Sequence, residues 1–193
     1  MSSCRRAALA AVAAAALAAG CGAPPEKEMQ QAEGAIEAAR AAGAAVYARE
    51  EFTSAEDALK QAHSAVDDRD YHLALNYALE ARERAQSASR DAADRKATAR
   101  VDADRALADA GAARNEAMAR LKAAEAARVP PRILAEARKA IADSEVSVQE
   151  ARAAFERGDY AAVPQSLKPS SARLHETTER LDTILAASTR RRR

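Results

Sequence analysis

An all-α fold is what this sequence predicts: an elongated antiparallel helical bundle of two three-helix units sharing one long central helix. Three observations carry that expectation. Alanine dominates an apolar fraction of 48%, while aromatic residues make up only 3% and tryptophan is absent. Alanine enters a helix without losing side-chain entropy and is the strongest helix former. Its methyl group buries only about 0.8 kcal/mol of hydrophobic free energy, against roughly 2 for leucine, so much helix around a thin core is expected. Apolar residues also recur at alternating steps of three and four, the spacing of amphipathic helices. Finally, the two halves of the chain repeat one pattern.

The first twenty residues stand apart. Arg5 and Arg6 precede an uncharged apolar run of 13 residues, Ala7 to Ala19, and small residues then lead into Cys21. This is the layout of an export signal. Thirteen helical residues reach about 20 Å, short of the roughly 30 Å hydrocarbon core of a bilayer. The stretch Leu17-Ala18-Ala19-Gly20-Cys21 resembles the bacterial lipobox, in which a diacylglycerol thioether forms on the cysteine before cleavage. That family prefers leucine where Ala18 stands, and here leucine falls one position earlier. The resemblance implies residues 1–20 as a cleaved lipoprotein signal peptide, lipid on Cys21, and a membrane as partner through it. Gly22 is not the aspartate that retains enterobacterial lipoproteins at the inner membrane. The resemblance therefore points to the periplasmic leaflet of the outer membrane, with the inner membrane as the alternative. The competing reading is an ordinary signal followed by an incidental cysteine.

Cysteine usage fits export. Cys4 would leave with the signal, so the mature chain would keep Cys21 alone, with no intramolecular disulfide and no cysteine metal site. Cleavage would leave 28 basic and 29 acidic residues, and four of the basic ones are Arg190 to Arg193. A body this close to neutral is not expected to bind nucleic acid.

Residues 21–27 form a lipidated linker in this reading, with Ala23-Pro24-Pro25 as a stiff spacer. Met29, Ala32, Ile36 and Ala39 then mark a first helix, and Ala55, Leu59, Ala62 and Val66 a second. Asp70 is placed to cap a third, since its carboxylate can accept the free N–H groups of a first helical turn. That helix carries Tyr71, Ala74, Ala78, Ala81, Ala85, Ala88 and Ala92, and nothing stops it before Val129-Pro130-Pro131. It is expected to run about 57 residues, or roughly 85 Å. Leu134, Ala137, Ile141, Ser144, Val148, Ala151 and Phe155 continue the spacing in a fourth helix. Gly158 suits its C-terminus, and Asp159 suits the cap of a fifth helix from Tyr160 bearing Leu167, Leu174, Leu181 and Leu185. Pro164 and Pro169 are expected to kink or restart that helix, because each removes a backbone donor and crowds the preceding turn.

The halves align. Val46 to Phe52 lies over Arg128 to Leu134, Ala55, Ala58 and Leu59 fall on Ala137, Ala140 and Ile141, and Asp70-Tyr71 falls on Asp159-Tyr160. The second copy is seven residues longer between those anchors, two helical turns, so its apolar face stays in register. The expected organisation is a first three-helix unit over 28–98, a second over 99–188 and a basic disordered tail over 189–193. Residues 30 to about 105 resemble an alanine-rich helical domain of unknown function found in bacterial envelope lipoproteins, sometimes ahead of an OmpA-like peptidoglycan-binding domain. The resemblance rests on Ala41-Ala42-Gly43, Tyr47-Ala48, Glu50-Glu51-Phe52, Ala55, Ala58-Leu59 and Asp70-Tyr71 with Ala74 and Ala78. Arg49 stands where that family usually has proline. The paired helices are also similar to tetratricopeptide units, without that repeat's tryptophan and glycine positions.

Residues suited to catalysis are scarce. The glycines form no phosphate-cradling loop and no nucleophile elbow, so no enzyme, cofactor or metal is expected. His63 and Asp67, with Asp68, Asp70 and His72 nearby, offer metal-ligating atoms, but a zinc site needs three ligands that converge; a solvated helix end is the plainer reading. Glu80–Arg84, Asp91–Arg95 and Glu116–Arg120 are acid-before-base pairs that support an exposed helix. Tyr71 and Tyr160 hold equivalent positions suited to closing a bundle end, whereas Tyr77 lies off the main seam and is the better candidate for a partner. Arg190, Arg191, Arg192 and Arg193 either keep the chain soluble or meet a distal anionic surface, such as cell-wall polymer or the opposite membrane. The function expected is a lipid-anchored envelope lipoprotein with a structural, spacer or scaffolding role, its partner an envelope protein or cell-wall polymer. The alternative is a tetratricopeptide-like module holding a peptide between helices.

Overall fold

The computed structural model describes residues 23–190. The expected signal segment, Cys21 and Arg191 to Arg193 lie outside the described residues. Those described form an all-α fold of six helices: α1 (Glu26–Ala41), α2 (Ala44–Tyr47), α3 (Arg49–Asp67), α4 (Tyr71–Ala126), α5 (Ala135–Glu156) and α6 (Ala162–Arg190). The chain divides into two compact units, one up to Arg95 and one from Lys96 onward. Helix α4 supplies a helix to each.

In the first unit α1, α3 and the start of α4 run up, down and up. Met29 meets Ala62 and Ala78, Ala32 meets Ala58 and Ala81, and Ile36 and Ala39 meet Ala55, Ala85 and Ala88. An alanine at nearly every layer lets the helices approach closely, and Phe52, Ile36 and Met29 supply the bulk. The buried face of α3 is Ala55, Ala58, Ala62 and Ala65, so the expected stripe through Leu59 and Val66 is rotated. Close alanine contacts occupy the centre, and both larger side chains lie half-buried at its edge.

Helix α2 was not expected. Gly43 makes it possible at φ 90°, a left-handed backbone; a Cβ there would stand 3.3 Å from the Tyr47 ring. Asp70 caps α4 as predicted, the Leu73 N–H donating to Asp70 Oδ1 at 3.0 Å. The turn before it is closed by Arg69 at φ 60°, with the Asp70 N–H donating to the Ala65 carbonyl at 2.8 Å. That bond captures a carbonyl left over at the end of α3.

In the second unit the rest of α4, then α5 and α6, again run up, down and up. Ala103 and Ala110 pack with Val148, Ala151, Val163 and Leu167, Ala113 and Ala117 with Leu174, and Ala124 with Leu134, Ala137 and Leu181. Here leucine rather than alanine fills the centre of the third helix. Helix α4 ends after 56 residues, close to the expected length. Arg128 takes a left-handed φ of 62°, and the Val129 N–H returns to the Ala124 carbonyl at 3.1 Å.

Four expectations for the last helix need correction. It begins at Ala162, not Tyr160. Asp159 closes the turn around Gly158 instead, its N–H donating to the Ala154 carbonyl at 3.0 Å and its own carbonyl accepting from Ala162 at 3.1 Å. The prolines do not restart the helix. Pro164 falls in its first turn, where a backbone N–H has no helical partner anyway, and Pro169 lies within it. The carbonyl that Pro169 leaves without a donor belongs to Gln165, and both residues are exposed, so water can serve it while Leu167 and Leu174 hold the helix in the core. Thr189 and Arg190 are helical rather than part of a disordered tail.

Several residues matched by the repeat have matched burial, although Ala48 is buried and its counterpart Pro130 exposed. Phe52 and Leu134, Ala55 and Ala137, and Ala58 and Ala140 are buried, while Leu59 and Ile141 are half-buried.

Candidate functional site

Several acidic and basic side chains in each unit tie helix to helix. Arg95 passes over Asp91, its expected neighbour, to reach Glu51 at 2.9 Å and the Tyr47 carbonyl at 3.0 Å. The Glu51 carboxyl is held below its ordinary range by its own backbone N–H and then by Arg95, against the opposing effect of burial. Glu80–Arg84 closes at 2.6 Å and Glu116–Arg120 at 3.8 Å, as the spacing predicts; Arg120 also meets Asp182 at 2.7 Å. In the second unit Asp143 accepts from Lys139 at 2.8 Å and Arg173 at 3.3 Å, and the Lys139 bond is the main cause of its lowered pKa. Arg114–Glu145 and Arg180–Glu136 join neighbouring helices in the same way. Among the described residues the buried polar ones are Ser144 and Thr178, each donating to a carbonyl of the preceding turn.

The histidine cluster does not assemble. His63 faces Glu33 at 3.5 Å, Asp70 is engaged as a cap, and His72 lies 3.4 Å from Asn76. No three His, Cys, Asp or Glu side chains gather among the described residues.

Of the tyrosines, Tyr160 packs edge-on against Phe155 with ring centres 5.0 Å apart, and Arg100 sits 6.0 Å from the centre of the Phe155 ring. Tyr77 leans on Met29, Ala62 and Ala78. It also borders a groove of about 420 Å³ between α3 and α4, with Lys60, Asp68 and Leu73 on its walls. Arg190 is exposed at the end of α6.

Two further concavities were not anticipated from the sequence. Between α1 and α4, Arg82 and Arg90 flank a groove of about 570 Å³ floored by Ala35 and Ala38; Arg82 donates to Gln31 Oε1 at 2.6 Å. In the second unit an apolar notch of about 430 Å³ opens between the α4–α5 connection and the end of α6. The signal for the notch was the Val129-Pro130-Pro131-Arg132-Ile133 stretch, which the hydrophobic periodicity marked only as a turn. Elsewhere the exposed large apolar side chains are spread out, on Val46, Leu73, Leu79, Val101, Met118 and Val146.

Residues 27–104 match the family described as a domain of unknown function, DUF4398. The match spans α1 to α3 and the first part of α4, the region singled out above by its family resemblance. No curated protein and no solved structure matches the chain. Among the described residues no helix is long and apolar enough to cross a membrane.

Proposed function

We propose that the chain is an exported bacterial lipoprotein, anchored to an envelope membrane by lipid on Cys21, whose helical units act as a spacer or scaffold. The observation that carries this reading is the apolar run ending in Leu17-Ala18-Ala19-Gly20-Cys21 directly ahead of a helical body. The interhelical ion pairs support a structural role, since they engage acids and bases that could otherwise serve as acid–base or ligand groups. The periplasmic leaflet of the outer membrane is the site that Gly22 favours. With radiolabelled palmitate the wild-type protein should take up label and the Cys21→Ser variant should not; label persisting in the variant would overturn the assignment.

A second reading, a module that holds a peptide, is favoured by the α1–α4 groove. Two guanidinium groups over an alanine floor suit a carboxylate-bearing peptide. Crosslinking in intact cells separates the two readings. A peptide-binding module predicts a captured partner that is lost when Arg82 and Arg90 are both changed to glutamine, whereas a spacer predicts capture indifferent to that change.

A further inference from the structure

We infer that the end of the second unit, where the α4–α5 connection meets the C-terminal end of α6, is a docking face for an anionic lipid bilayer. Helices α4, α5 and α6 place two kinds of residue there. Val129 and Leu134 are buried and hold the connection to the core, whereas Ile133 between them is 47% exposed. With Ile184 and Ala187 of α6 it walls the apolar notch.

Part of the backbone of this connection is already satisfied within the loop. Pro130 and Pro131 carry no N–H. The Val129, Ile133 and Leu134 N–H groups already donate to Ala124, Pro130 and Pro131 at 3.1, 2.9 and 3.2 Å. The first N–H groups of α5, which has no side-chain cap, still need acceptors there, and the phosphate and carbonyl oxygens of a headgroup layer can supply them.

The unpaired charges around it are of one sign. Arg128, Arg132 and Arg190 are exposed, and none is paired with a carboxylate in the described residues. The two acids closest in sequence are already paired, Glu125 by Arg138, which also reaches the Pro131 carbonyl, and Glu136 by Arg180. Arg190 lies less than one turn beyond Ala187, and three more arginines follow it in the sequence. Guanidinium groups bind phosphate oxygens in two-pronged fashion, and their aliphatic stems can lie along apolar surface. An apolar tip ringed by unpaired arginines therefore complements the headgroup layer of an anionic membrane.

The contact is independent of lipid on Cys21, so the test uses the mature chain from residue 21 onward, without the apolar signal segment and carrying Cys21→Ser. The protein is sedimented with vesicles of phosphatidylcholine alone or mixed with equal parts phosphatidylglycerol. Binding is expected only with the anionic vesicles and should weaken as salt rises. Changing Arg128 to glycine and Arg132 to glutamine should each weaken it about fivefold. Ile133→Ser should weaken it roughly tenfold or more. Circular dichroism should be unchanged in all three variants, since each site is exposed and glycine suits the left-handed Arg128 position. Failure to bind, equal binding to neutral vesicles, or loss in the arginine variants without loss in Ile133→Ser would each overturn the inference. The last pattern would mean attraction to any polyanion, acidic proteins included.

Discussion

Ala85 is wholly buried among Ile36, Ala39 and Phe52, and the close approach of α1 and α4 depends on its size. Ala85→Leu should cost about 1–3 kcal/mol through overpacking, read as a lower urea midpoint; an unchanged midpoint would mean that the layer is looser than described. Arg69 at φ 60° works in the opposite direction. A left-handed backbone costs a non-glycine residue about 1–2 kcal/mol, so Arg69→Gly should raise stability by about 1 kcal/mol. Gly43→Ala should lower it, because φ is 90° and the Tyr47 ring stands in the way. The lowered pKa values of Glu51 and Asp143 set the sign of an acid effect. A carboxylate whose folded pKa is depressed contributes above its unfolded value, near 4.5 for Glu51 and 3.8 for Asp143, and the contribution is lost as pH falls through the folded one. Stability should decline below about pH 4.5, and Asp143→Asn should flatten part of that decline in thermal melts across pH.

Along α4 no residue from Ala93 to Asp102 is buried, although Ala92 and Ala103 on either side are. With few apolar contacts to resist local opening, amide hydrogen exchange over 93–102 should be faster than over Ile141 to Ala151 of α5. Slower exchange there would mean that a partner chain covers the segment. The helices themselves were legible because two strong signals bounded them. Asp70 offered a cap, and Pro130-Pro131 followed by a restart of the spacing marked the end of α4. What escaped notice depended on tertiary context. Helix α2 follows from one left-handed glycine, Pro169 is tolerated at a position where it and Gln165 are exposed, and Asp159 closes a turn because Gly158 precedes it. Arg95 chose Glu51 over Asp91 because a partner across the unit is invisible to i,i+4 spacing. The notch at Ile133 was missed for the same reason: one wall comes from α6, far along the chain.

Across the whole molecule, two units of the same up-down-up order use different means to fill their cores. The first relies on alanine layers plugged by Met29, Ile36 and Phe52, and the second on Leu134, Leu167, Leu174 and Leu181. The family match covers most of the first unit and ends at Asp104, early in the second. Shared burial at Phe52 and Leu134, Ala55 and Ala137, and Ala58 and Ala140 nevertheless relates the two. The weight of the proposed function rests on the anchor. The most direct measurement is the intact mass of the protein extracted from membranes of cells expressing the full chain. The account predicts a chain that begins at Cys21 and carries the added mass of a diacylglycerol. A chain cut elsewhere, or one with an unmodified Cys21, would contradict it.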